Sequence, residues 1–268
     1  MYSIAVVNPK GGSGKTTTAV QLYAGLSLRD RTVLGVDMDP QHNFTSTLNG
    51  DCPEPTGVGT TYDLLCGEPA GSCLVEVPRG SLIGSAWGAD DKLATIEPVI
   101  ASRADRYHRL RFGLEPVLDS FDYCVIDTRG ANDSLIINAL VAADAVVIPM
   151  NAAEYDADGL QRFFRDTVHE AAVARRLAGI APMCILGILI VRYQHSTRLA
   201  RGMDRAAAQI AAALGTAVFP THISPSVKVG ESQYARRDLF AYDPDRKCPS
   251  TRDYDRWVDE VLRMVEGE

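Results

Sequence analysis

The chain is poor in several features that would each have set its class. Its six cysteines, at positions 52, 66, 73, 124, 184 and 248, include no C-x-x-C pair and no metal-ligand spacing. That excludes a disulfide framework or zinc module and fits free thiols in a reducing cytosol. No apolar run approaches the roughly 20 residues of a membrane span, and no secretory leader pattern opens the sequence. Internal repeats and low-complexity linkers are missing as well. Positive charge is in deficit: 27 Lys and Arg face 34 Asp and Glu, a net charge of −7. As a whole, the chain is therefore not a simple basic nucleic-acid binder.

What is present is enough apolar material for a large core. With 268 residues and 46% hydrophobic content, the chain reads as one α/β domain over 1–268. The pattern starts with a short strand at Tyr2 to Asn8, which leaves no room for a preceding helix-turn-helix module. Apolar strands then alternate with helical periodicity: a helix over 16–28, a strand over 32–36, then a strand over 121–127 and a helix near 135–142. A strand at 145–149, a long helix over 158–177, a strand over 184–191, a helix over 197–214 and a short strand at 217–219 follow. The spacing predicts a mostly parallel sheet covered by helices on both faces. Between 52 and 120 the pattern is weaker: a helix at 61–65, a strand at 81–85 and a helix over 104–118.

Between the first strand and the first helix lies Pro9-Lys10-Gly11-Gly12-Ser13-Gly14-Lys15-Thr16-Thr17. Glycines there let backbone N–H groups curl round phosphates at a helix N-terminus, the lysine reaches the terminal phosphates and the hydroxyl meets Mg²⁺. The pattern is that of a P-loop, G-x-x-x-x-G-K-S/T, with Pro9 in place of its first glycine. Lys15 fills the usual lysine's role, which leaves Lys10 without an intramolecular task. Two further strand ends carry acids: Asp37 and Asp39 in Asp37-Met38-Asp39-Pro40-Gln41-His42-Asn43, and Asp127 after Tyr123 to Ile126. In a parallel sheet both ends lie beside the P-loop, where a carboxylate can support a Mg²⁺ shell or orient a water. An Asp-Pro turn with Asn43 capping the next helix is the plain structural alternative for the first.

Lys10-Gly11-Gly12-Ser13-Gly14-Lys15-Thr16 resembles the deviant P-loop K-G-G-x-G-K-S/T of the ParA/MinD ATPases, and the Asp37–Thr45 segment resembles the D-x-D-P-Q-x-N-x-T stretch of ParA proteins. The resemblance implies a P-loop ATPase of the SIMIBI type, with ATP and Mg²⁺ as ligands. By it, Lys10 crosses a face-to-face homodimer to the partner's ATP, Gly11 to Thr17 hold the phosphates, and Asp39 aligns the attacking water. Thr16 and Asp127 hold Mg²⁺, with Asp37 supporting the metal or the loop. Arg192 and Ile223-Ser224-Pro225 neighbour the base. The chain departs from the family after Asp127, where Arg129-Gly130 replaces the usual prolines. Glycine loosens what proline fixes, and Arg129 is open to phosphate, a partner or solvent.

The resemblance further implies non-specific DNA binding, with a ParB-like partner stimulating hydrolysis, and places the protein in the cytoplasm on the nucleoid. The segment 190–250 carries nine Lys or Arg against five Asp or Glu, so it is basic within an acidic chain. Arg198, Lys228, Arg236 and Arg237 are its candidate DNA contacts. One family arginine is replaced by Ser196. MinD is separated from ParA by the C-terminus: the last helix bears Tyr254, Trp257, Val258, Val261, Leu262 and Val265 on one face, but more acids than bases beside them. That composition favours packing on the domain over an anionic membrane. The scattered cysteines argue against the nitrogenase iron protein. A ParA-like ATPase that positions a protein cargo, a metabolic ligase of the dethiobiotin synthetase kind, and a nucleotide-regulated DNA binder with vestigial turnover stay open.

Overall fold

The computed structural model describes residues 1–88, 92–130, 133–151, 157–194 and 198–267. Seven strands form one sheet: β1 (Tyr2–Val6), β2 (Val33–Met38), β3 (Val75–Val77), β4 (Gly80–Ile83), β5 (Tyr123–Thr128), β6 (Ala145–Asn151) and β7 (Cys184–Val191). Their spatial order is β3-β4-β2-β5-β1-β6-β7, and every pairing is parallel except the β3–β4 edge hairpin. The central strands are apolar throughout because both their faces are covered. Ala5, Leu34, Val36, Ile126, Val146 and Ile188 enter one buried cluster, while Ile4, Val6, Val33, Val125, Val147 and Leu189 enter the other. The period of two thus feeds two cores, and the sheet is the middle layer of three.

The Lys15–Ser27 helix and the Pro249–Glu266 helix share one face of the sheet. A Cβ on Gly25 would lie 2.6 Å from Val258 Cγ2, so glycine is what lets the two helices pack this closely. Tyr254, Trp257, Val258 and Val261 are buried there, and the apolar stripe of the last helix is used up in the core. Among the described residues no helix is long and apolar enough to cross a membrane.

Several expected elements differ. The expected helix over 104–118 is a chain of turns, then a helix at Arg109–Leu114, then a tighter 3₁₀ segment at Glu115–Ser120. Pro116 stands at the start of that segment and has no N–H to continue the helical ladder. The run over 158–177 stays helical through one wide turn at Phe164–Val168. Position 217–219 makes a single bridge, Val218 beside Ile188, instead of a strand. Asn43 begins the Asn43–Asn49 helix, and the cap position is His42, in the left-handed region at φ 45°. β3 had no signal of its own; three residues are too few to show a period.

Candidate functional site

The P-loop is drawn from the end of β1 into the Lys15–Ser27 helix. Gly14, at φ 92°, sits at the helix cap in a conformation that side chains rarely adopt. Polar side chains fasten the loop. Asn8 Nδ2 donates to the Pro149 carbonyl at 2.8 Å, the Lys10 N–H donates to Asn8 Oδ1 at 2.9 Å, and Asn151 Nδ2 donates to the Gly12 carbonyl at 3.2 Å. The two lysines then diverge. Lys15 is buried and its Nζ donates to the Lys10 carbonyl at 3.0 Å. Burial lowers its pKa, opposed by the charges of Asp127 and Asp39. The Lys10 side chain is half-buried, lines neither of the cavities over the P-loop, and has no hydrogen bond or ion pair among the described residues.

Asp37 and Asp127 are register partners on β2 and β5, and both are completely buried. Asp37 accepts from the Asp39 N–H at 3.0 Å, the Thr45 N–H at 2.8 Å and the Thr45 hydroxyl at 2.6 Å. These three contacts tie it to the loop after β2, in keeping with loop support. Burial still pushes its pKa up to about 6 against those three donors. Asp127 is the opposite case. Neither of its carboxylate oxygens finds a hydrogen-bond partner. Burial, then the Asp37 charge, raise its pKa well above the usual carboxylate range, opposed by the nearby Thr16 hydroxyl and more weakly by Lys15. A buried carboxylate left without donors costs free energy unless a cation meets it. With Lys15 and Thr16 beside it, the donor set fits a hydrated Mg²⁺ and a phosphate chain.

Two cavities join over the P-loop. The first, about 690 Å³, is lined by Gly11, Gly12, Gly14, Lys15, Thr16, Thr17, Asp39 and Gly130, and also by Arg192, Gln233, Tyr234 and Arg236. The second, about 610 Å³, is bordered by Val191, Arg192, Ile223, Ser224, Pro225, Val229 and Tyr254. Gly14, Thr17, Arg192 and Gln233 belong to both. A polar basin over the glycine loop beside a more apolar basin matches a triphosphate joined to a base. The structure thus brings together Lys15, Thr16, Thr17 and Asp39 in one basin and Arg192 with Ile223 to Pro225 in the other. Arg192 takes φ 54° to turn off the end of β7.

Gly130 plays a different part from the loosening expected of it. A Cβ there would lie 3.0 Å from the Pro9 carbonyl, 3.2 Å from Lys15 Nζ and 3.3 Å from the Gly11 N–H. Glycine lets the loop after β5 lie directly on the P-loop. Arg129 meets Asp133 at 3.2 Å, the residue whose carboxylate also caps the Ser134–Ala142 helix. Its partner is thus within the chain.

The four basic candidates disperse. Lys228 Nζ lies 2.8 Å from Asp243 Oδ1, a carboxylate held at a pKa of about 2; burial opposes that shift, and Lys228 and donors from Cys248 and Thr251 outweigh it. Arg237 is exposed and 3.6 Å from Asp51. Arg236 belongs to the phosphate-side cavity. Arg198 opens the Arg198–Ala213 helix, but its side chain lies outside the described residues, as does Ser196.

Sheet order, P-loop and paired cavities define a P-loop ATPase of the ParA/MinD class, working on ATP with Mg²⁺. Residues 1–175 match a family described as an AAA domain. The chain is 32% identical to the chromosome-partitioning ATPase Soj of Treponema pallidum, over 97% of this chain and 96% of that one. It is 33% identical to Soj of Thermus thermophilus over 98% and 96%, and 30% identical to the chromosome partitioning protein ParA of Caulobacter vibrioides over 97% and 93%. The chain belongs to the ParA/Soj family of ATPases. Among solved structures, apo McdA of Cyanothece superposes with a TM-score of 0.80 at 26% identity, covering 98% of this chain and 99% of that one. Cobyrinic acid a,c-diamide synthase of Mycobacterium smegmatis, with a bound ATP analogue and magnesium, reaches a TM-score of 0.80 at 24% identity over 100% and 97%, a likeness of fold.

Proposed function

We propose that this ATPase is a DNA partition motor: ATP closes two copies face to face, the dimer holds nucleoid DNA without sequence preference, and hydrolysis stimulated by a ParB-like partner releases it. The observation that carries the reading is the unequal fate of the two P-loop lysines. Lys15 turns inward, while the Lys10 ammonium, on the same loop, has no hydrogen bond or ion pair among the described residues. In a desolvated interface such a cation is worth several times its value in water. The names of the Soj and ParA relatives support the partition role.

Within the site, Lys15, Thr16 and the N–H groups of Gly11 to Thr17 bind the phosphates, and Thr16 and Asp127 hold Mg²⁺. The metal's contribution is to neutralise phosphate charge as the terminal bond weakens. Asp39, whose carboxylate is braced by the Gln41 N–H at 3.0 Å, accepts a hydrogen bond from the attacking water and aligns it. Asp37 holds that loop. Ile223, Ser224 and Pro225 wall the base, with the Ser224 N–H tied to Asp253 at 2.9 Å. Arg198 and Arg237 are the basic side chains to test against DNA. Lys228 is a poor probe, because reversing its charge also strands Asp243.

Light scattering with a non-hydrolysable ATP analogue tests the dimer. The mass should double with the wild-type chain and stay monomeric with Lys10→Ala; a wild-type chain that stays monomeric overturns the reading. ATPase activity that rises with DNA and needs no small carboxylated substrate separates a partition motor from a metabolic ligase.

A further inference from the structure

The turn that follows the Val227–Tyr234 helix bends over the phosphate side of the cleft, and it does so in a costly conformation. Arg236 has φ 49°, the left-handed region that favours glycine. The turn is held there from several sides. The Arg236 N–H donates to the Gln233 carbonyl at 3.0 Å and the Arg237 N–H donates to the Ser232 carbonyl at 2.9 Å. A Cβ on Gly50 would lie 3.3 Å from the Arg236 carbonyl. From the preceding helix the Gln233 Nε2 reaches across the cleft and donates to the Thr17 hydroxyl at 2.8 Å. A non-glycine residue kept in such a region by surrounding contacts marks a place where position matters more than comfort.

The location gives the position a purpose. Gln233 lines both the base-side and the phosphate-side cavity, at their junction, whereas Arg236 lines the phosphate-side one, with Lys15, Thr16, Asp39 and Gly130, and on its other side borders a further cavity with Gly50, Asp51 and Arg237. Of the two basins over the P-loop, Arg236 thus belongs to the phosphate side. Its guanidinium is exposed and makes no hydrogen bond or ion pair among the described residues, unlike Lys228 and Arg237, which face Asp243 and Asp51. An arginine of this kind can grip a phosphate with two parallel N–H donors.

We infer that Arg236 is a phosphate-binding residue of its own chain's ATP site, contacting the terminal phosphate, and that Gln233, through Thr17, is the positioning residue that holds its turn over the cleft. This rests on the ATP site described above, and on neither dimerisation nor DNA. It also removes Arg236 from the DNA-contacting set.

The test is titration of the full chain with Mg²⁺ and a fluorescent non-hydrolysable ATP analogue, beside the matching ADP, with DNA left out and protein kept dilute. Arg236→Gly is the informative variant because glycine accepts the backbone conformation, so the nucleotide-free melting temperature should hold or rise. Charge-assisted contacts of this kind predict affinity for the ATP analogue falling by about tenfold or more, with a change of no more than roughly threefold for ADP. Arg236→Lys should recover part of the loss. Gln233→Ala should weaken the analogue less than Arg236→Gly does and leave Arg236→Gly no weaker in the double variant. Unchanged affinity for the analogue in Arg236→Gly, or an equal loss for ADP, overturns the assignment; unchanged affinity joined to lost DNA retention returns Arg236 to the DNA surface.

Discussion

Asp37 and Asp127 stand side by side on neighbouring strands, equally buried, and their surroundings differ completely. Three donors converge on Asp37; neither oxygen of Asp127 has a partner at hydrogen-bond distance, the Thr16 hydroxyl being the donor nearby. Burial alone therefore does not separate structural from functional carboxylates. The hydrogen-bond complement does: a satisfied buried acid is part of the scaffold, and an unsatisfied one is part of a site that its ligand completes.

The largest test of that contrast is Asp127→Asn. It removes the charge proposed to meet Mg²⁺ and should lower kcat by on the order of a hundredfold or more, measured by phosphate release. The melting temperature of the nucleotide-free chain should not fall, because a burdened charge leaves with it; a large fall would make Asp127 scaffold. Asp37→Ala should do the reverse. It strands the Thr45 and Asp39 donors, costing about 2 kcal/mol, and this should appear as a lower denaturant midpoint. Displacement of Asp39 should cost roughly tenfold in kcat as well. Full stability in Asp37→Ala would erase the distinction.

The smallest effect is in pH. Both carboxylates have raised pKa values, Asp37 to about 6. The folded state then holds protons that the unfolded chain has released. Their contribution is fully present below the ordinary carboxylate value near 4 and is lost as pH rises through about 6. Without Mg²⁺, stability should decline across that window by on the order of 1 kcal/mol, and Asp127→Asn should shrink the slope. A Mg²⁺-free chain that gains stability over the same window would contradict the burial argument.

The contrast also locates what was legible in the sequence. Both acids were readable as strand ends next to a P-loop, because local apolar runs fix strands and a parallel sheet fixes where their ends gather. Which acid was satisfied was not readable. Thr45 lies eight residues on from Asp37 and helps satisfy it only once the Asn43–Asn49 helix turns back. Gln233 meets Thr17, and Lys228 meets Asp243, through tertiary folding that no spacing announces. The segment 190–250 is rich in cations, but charge counts say nothing about which cations are already answered. The region 52–120 resisted reading for a local reason: its pieces are short, from the three residues of β3 to the six of the Arg109–Leu114 helix, and a period needs length to show itself.

Gly130 carries a consequence for how this protein should be dissected. Where the loop after β5 meets the P-loop, a methyl group on Gly130 would press on the Pro9 carbonyl at 3.0 Å, on Lys15 Nζ at 3.2 Å and on the Gly11 nitrogen at 3.3 Å, so one side would have to give. Two of the three neighbours are backbone atoms and the third is the Lys15 ammonium, so a side chain added at position 130 would push on the P-loop itself. Truncation scans, which work by taking atoms away, will pass over this contact in silence; it will register only when an atom is added.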